Sequence, residues 1–140
     1  MHYEPSIHDN IVYAYSVRCE ERRLVLHTAT RDHEPHQFTD VVFFEVVAHH
    51  FEHVLPGNVL FDVEEADLVA LVQANERLFA DSWRYSWPPV DYGGDLGALA
   101  DALTARAVRA YSISSSFGLS DWVLAGRCER VSRSEPATVA

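Results

Sequence analysis

The sequence predicts an α+β fold in which an antiparallel sheet of about six strands, in the order β-β-β-β-α-α-β-β, carries two helices packed on one face. Three observations lead there. Apolar and polar residues alternate with period two toward both ends of the chain, apolar residues recur at helical spacing only between about 65 and 107, and no glycine-rich strand-to-helix turn of a dinucleotide fold intervenes. A chain of 140 residues, 48% hydrophobic, has the material for one core. A single domain over 1–140 is therefore expected, with a loose arm at 1–9 and a frayed tail at 132–140.

The elements follow in order. Ile11, Tyr13, Tyr15 and Val17 alternate with smaller or more polar residues, as in a half-buried strand. The charged run Cys19-Glu20-Glu21-Arg22-Arg23 interrupts the pattern and Leu24 to Ala29 resumes it, which makes a hairpin over about 11–30. Residues 31–37 contain Pro35 and read as a loop. Phe38 to Phe51, with Val41, Val42, Phe43, Phe44, Val46 and Val47, reads as strand buried on both faces or one long bent strand, a helix being the competing reading. Pro56-Gly57-Asn58 is turn chemistry and predicts a hairpin-like return through Val59 to Val63. Asp62 with Glu65, or Asp67 alone, caps a helix over about 65–81 whose Leu68, Leu71, Val72, Leu78 and Phe79 share a face. Trp83 to Gly94 is an aromatic loop rich in proline and glycine. Asp95 caps the second helix, with a stripe of Leu96, Leu99, Ala100 and Leu103 and an end near Ala107. Strands over 108–114 and 122–131 then close the chain as a hairpin.

Charge bounds the function classes. With 21 acids against 11 cations the formal net charge is -10, so unaided nucleic-acid binding is disfavoured by repulsion from the phosphates. Every cation is arginine, which excludes a Walker lysine, a Schiff-base enzyme and a Ser-x-x-Lys pair within this chain. No apolar run has the roughly eighteen residues of a membrane helix, and the amino end carries no signal-like stretch. Together with only two cysteines, Cys19 and Cys128, this leads to the expectation of a cytoplasmic protein with no membrane partner.

Within the 45 residues from Asp32 to Glu76 there are ten carboxylates and no arginine, whereas Arg106, Arg109, Arg127, Arg130 and Arg133 populate the carboxyl-terminal portion. Two readings stand side by side. Acid-rich and arginine-rich strands face each other inside the fold, or the acids form a surface for a basic protein partner. On the second reading the contact residues are Asp40, Glu45, Glu52, Asp62, Glu64, Glu65 and Asp67, on turns and helix starts.

Other candidate sites are weaker. In His49-His50-Phe51-Glu52-His53 the outer histidines would share a helix face at metal-ligand spacing. On a strand they lie about 13 Å apart, too far for one ion, so no metal and no cofactor is assigned. Asp62, Glu64 and Glu65 could serve as paired carboxylates or a hard-cation site, but acids at a helix start explain them better. Ser114-Ser115-Ser116 lacks the Gly-x-Ser-x-Gly elbow of a nucleophile and reads as turn. Trp83, Tyr85, Trp87 and Tyr92 are either a ligand cradle or a lid over the core.

Phe43-x-x-Val46-Val47-Ala48-x-His50-Phe51-Glu52, then Asn58-x-Leu60-Phe61-Asp62-Val63-Glu64-Glu65, and later Tyr111-x-Ile113-x-Ser115-Ser116-x-Gly118-Leu119-x-x-Trp122-Val123-Leu124 resemble a group of small uncharacterised bacterial proteins. In size and acidity that group is similar to immunity proteins of toxin systems. The resemblance implies a non-enzymatic, acidic protein-binding module that neutralises a cationic toxin, and it carries no catalytic residue. A small-molecule-binding or structural module, and a small metal-dependent hydrolase using the His49/His53 region, are the alternatives.

Overall fold

A computed structural model describes residues 5–31, 34–51, 58–117 and 121–138. The chain is α+β. Its strands are β1 (Ile11–Arg18), β2 (Arg23–Ala29), β3 (Phe38–Phe44), β4 (Ala48–His50), β5 (Asn58–Ala66), β6 (Arg109–Phe117), β7 (Asp121–Ala125) and β8 (Arg127–Arg133). The helices are α1 (Leu68–Ala74), α2 (Glu76–Ser82) and α3 (Leu96–Ala105), with a 3-10 turn at Trp83–Tyr85. Among the described residues no helix is long and apolar enough to cross a membrane.

All pairings are antiparallel and run in the order β4-β7-β6-β5-β1-β2-β3-β8. The run divides into two four-stranded halves, because β1 meets β5 only at Ile11↔Val59 and Val12↔Asn58. The halves pack face to face. Val12, Leu24, Leu26, Val41 and Phe43 of one meet Val63, Tyr111, Ile113, Val123 and Ala125 of the other in an inner core. The helices cover the opposite face of the β4-β7-β6-β5 half, where Val72, Phe79, Leu99 and Leu103 pack on Ala48, Ala110, Trp122 and Leu124. Among the described residues no helix covers the outer face of β1-β2-β3-β8.

The sheet is therefore larger than the sequence indicates, and the differences have local causes. The apolar run after Phe38 is two strands, broken where Glu45 takes a positive φ of 56°. There the chain leaves one half for the other, with Val46 N–H donating to Arg22 O at 2.8 Å and Val47 N–H to Leu124 O at 2.8 Å. Gly126 breaks the last strand beside Glu45, its N–H donating to Phe44 O at 2.9 Å. β5 pairs with β6 and β1 while β4 pairs with β7, so the return through Val59 is not a hairpin with the preceding strand. Pro56 and Gly57 lie outside the described residues. β5 continues to Ala66 and Asp67 alone caps α1, accepting from Ala70 N–H at 2.9 Å, while Asn75 divides the expected first helix in two. The hairpin of β1 and β2 and the Asp95 cap follow the sequence reading, the cap accepting from Gly97 N–H at 3.0 Å.

The described parts of both terminal segments make contacts with the sheet. Ile7 is fully buried in the inner core, and Ala137 N–H donates to Tyr13 Oη at 2.8 Å. Arg130, on the inner face of β8, reaches across to β5. Its guanidinium donates to Asp62 Oδ1 at 3.1 Å, Val63 O at 3.0 Å and Pro5 O at 3.3 Å. One side chain thus joins the amino arm and both halves where the β1–β5 ladder has ended.

Two stability outcomes follow. Leu99→Ala should cost about 2–5 kcal/mol in chemical denaturation, as removal of a fully buried leucine does, whereas Val69→Ala on the exposed side of α1 should cost under about 0.5 kcal/mol. A double-mutant cycle on Asp62→Ala and Arg130→Ala should return a coupling of roughly 0.5–3 kcal/mol, as contacting partners of one network do.

Candidate functional site

The site lies on the uncovered face of β1-β2-β3-β8, where strand register lays side chains out in cross-strand rows. Arg18, Arg23, Phe44 and Arg127 form one row, Ser16, Val25, Val42 and Glu129 the next, and Ala14, His27, Asp40 and Val131 the third. Alternation forces this arrangement. Leu24, Leu26, Val41 and Phe43 must face the inner core, so their polar neighbours His27 and Asp40 face out.

These outward residues form a continuous polar chain. His27 Nδ1 lies 2.9 Å from Asp40 Oδ1, and His27 Nε2 lies 3.3 Å from Ser16 Oγ. Arg133 Nη1 donates to the other Asp40 oxygen at 3.1 Å. His27 is 7% exposed and Asp40 6%, so both have surrendered most of their hydration and depend on these partners. Because a carboxylate is acceptor-only, Nδ1 carries the proton donated to Asp40. In the neutral ring Nε2 accepts from the Ser16 hydroxyl.

A cleft of about 430 Å³ opens over this chain, lined by Ser16, Arg18, Arg23, His27, Asp40 and Arg133 among others, with Ala137 and Thr138 of the carboxyl-terminal segment at its border. Three arginines thus border a cleft in which Asp40, the one carboxylate among the described lining residues, is already engaged by Arg133. The end row is stiffened by aromatic contact, since the guanidinium carbons of Arg23 and Arg127 stand 4.9 and 4.1 Å from the Phe44 ring centre.

The acidic residues singled out from the sequence are dispersed. Asp40 is buried beneath Arg133 instead of lying on a turn, and Asp62 is held by Arg130. Glu65 is exposed beside Arg109 Nη1 at 3.2 Å, and Asp67 is the α1 cap. Glu45 and Glu64 are exposed, and Glu52 lies outside the described residues. Asp40, Asp62 and Glu65 therefore each meet an arginine from the carboxyl-terminal strands, as the strand-facing reading of the charge asymmetry supposes.

His49 and His50 stand on β4, while His53 lies outside the described residues. His50 stacks on Trp122 at 5.8 Å and His49 tilts against Phe51 at 5.0 Å. Among the described residues no group of three or more His, Cys, Asp or Glu is placed to hold a metal. Cys19 is exposed, Cys128 packs against the inner core, and no disulfide joins them. Of the aromatic segment after α2, Trp87 and Tyr92 cover the helical core, Trp87 stacking on Phe79 at 5.6 Å and Tyr92 Oη donating to Phe79 O at 3.1 Å, whereas Trp83 and Tyr85 are exposed. Burial pushes the Tyr92 phenol above its ordinary value.

Sequence reasoning missed Ser16, His27 and Asp40 as a group because they are 11 and 13 residues apart on three strands and match no local motif. The available signal was a lone histidine and a lone aspartate at outward positions of otherwise apolar strands. No known protein family, curated protein or solved structure matches the chain.

Burial first, and His50 second, hold His49 below its ordinary value of 6.5. The unfolded chain then binds the extra proton first, so the stability contributed by neutral His49 is full above pH 6.5 and declines as pH falls from there. In thermal melts between about pH 7 and pH 5, His49→Gln should show a smaller fall in midpoint than the parent.

Proposed function

We propose that the chain is a binding module that takes an anionic group, a carboxylate or phosphate on its ligand, into the arginine-lined cleft of its uncovered sheet face. The observation that carries this reading is that Arg18, Arg23 and Arg133 line one cleft in a chain of net charge -10. Guanidinium groups recognise carboxylates and phosphates through paired N–H donors, and a local positive site on an acidic body concentrates small anions there rather than polyanions. Glutarate or inorganic phosphate should raise the melting midpoint beyond sodium chloride at matched ionic strength, through binding to the folded state. Arg23→Ala should abolish that excess, and identical midpoints in ligand and salt would overturn the reading.

A second reading, the immunity-type module for a cationic partner, is favoured by the exposed Glu64, Glu65 and Asp67 at the β5–α1 corner. Rim carboxylates act chiefly on association rate and are screened by salt. Against the product of the neighbouring reading frame, reversal of Glu64 and Glu65 to arginine should slow association about tenfold or more at low salt. Unchanged association would remove the corner from consideration.

A further inference from the structure

We propose that Ser16 is a nucleophile, and that Ser16, His27 and Asp40 together hydrolyse short acyl esters whose acyl chain ends in a carboxylate. The substrate class rests on the reading of the cleft as an anion site; the nucleophile rests on separate geometry.

The order of contacts is the one acyl transfer requires. Asp40 accepts from His27 Nδ1, which orients the ring and fixes its tautomer, and His27 Nε2 stands 3.3 Å from the Ser16 hydroxyl. Arg133 on the second Asp40 oxygen at 3.1 Å holds the carboxylate in place. Asp40 and His27 are buried while Ser16 is half-buried and lines the cleft, so the base is shielded and the nucleophile is reachable.

The rows of the sheet set the substrate. Ser16 lies between the His27–Asp40 row and the Arg18–Arg23 row. Two residues along a strand span about 6.6 Å, and the long side chains of Arg18 and Arg23 cover the remaining distance to the far carboxylate of a glutaryl group bonded at Ser16. Beyond Val12, β1 has no ladder partner on its β5 side among the described residues. Main-chain N–H groups of alternate residues along Tyr13–Arg18 face that side, where one of them can donate to a developing oxyanion while Arg18 and Arg23 hold the far carboxylate.

The step balances without a co-reactant other than water. Ser16 Oγ bonds to the ester carbonyl carbon as its proton passes to His27 Nε2. The bond from that carbon to the alkoxy oxygen breaks, and the same proton leaves with the alcohol. Water then repeats the sequence on the acyl-serine, releasing the dicarboxylic acid and restoring the hydroxyl.

A structural role for the same network, satisfying a buried histidine and aspartate, makes different predictions. Intact protein treated with a fluorophosphonate should gain one adduct, located at Ser16 by peptide mass and missing in Ser16→Ala. The parent should hydrolyse 4-nitrophenyl hemiglutarate with kcat/KM at least about 100-fold above Ser16→Ala, within the range positioned acid–base groups supply. Ser16→Cys should retain acyl transfer, and His27→Gln should lose it with its circular dichroism unchanged. Should His27→Gln fail to fold, the Ser16 variants and the adduct decide alone. The hemiglutarate should exceed neutral 4-nitrophenyl valerate about tenfold or more, a preference lost in Arg23→Ala. No adduct at Ser16, together with equal hydrolysis by parent and Ser16→Ala, overturns the nucleophile. An adduct with no preference for the anionic ester overturns the substrate class, and glutarate stabilisation without an adduct overturns catalysis while leaving the binding site standing.

Discussion

β7 is the strand on which the architecture depends. Trp122, Val123, Leu124 and Ala125 are consecutive and all buried, with Val123 and Ala125 in the inner core and Trp122 and Leu124 in the helical core. A strand apolar on both faces can satisfy the hydrophobic effect only between two layers. That requirement seats the helices on one side and the second sheet half on the other. It also packs the Trp122 ring against Phe79, Trp87 and His50, and its indole Nε1 has no hydrogen-bond partner among the described residues. Ring packing is what this position supplies.

The chain passes between the two halves at Glu45 and again at Gly126, and the two crossings are hydrogen-bonded to each other. Gly126 is suited to the place because an added Cβ would press against Glu45, 3.1 Å from its Cβ. These crossings leave the outer face of β1-β2-β3-β8 uncovered, and arginines populate it. Asp40–Arg133 and Asp62–Arg130 are the partly buried pairs of the acid-rich tract, while Glu65–Arg109 is open to solvent and worth little by itself. The charge asymmetry is thus partly an internal matter of strand assembly.

Much of the fold was legible in the residues. Alternation located β1 and β2, caps located α1 and α3, and the shortage of glycine-rich turns excluded a doubly wound sheet. The strand count was not legible, because a break at a positive-φ Glu45 has no composition signal and an apolar run reads the same whether it crosses between layers or continues. The candidate site was less legible still. Asp40 in isolation is one acid in an acidic tract, and only the pairing of β2 with β3 sets it opposite His27.

By itself the sequence determined the class of fold, the helix start at Asp95, the large negative charge and the confinement of cations to arginine. Each of these depends on residues near one another in the chain or on sums over it. Tertiary structure alone decided which carboxylates stay free, which half of the sheet carries the helices, and that Ser16, His27, Asp40 and Arg133 form one connected chain. Those outcomes depend on strand register, which follows from burying both faces of β7 and one face of β2 and β3 at the same time. No local pattern encodes that joint requirement.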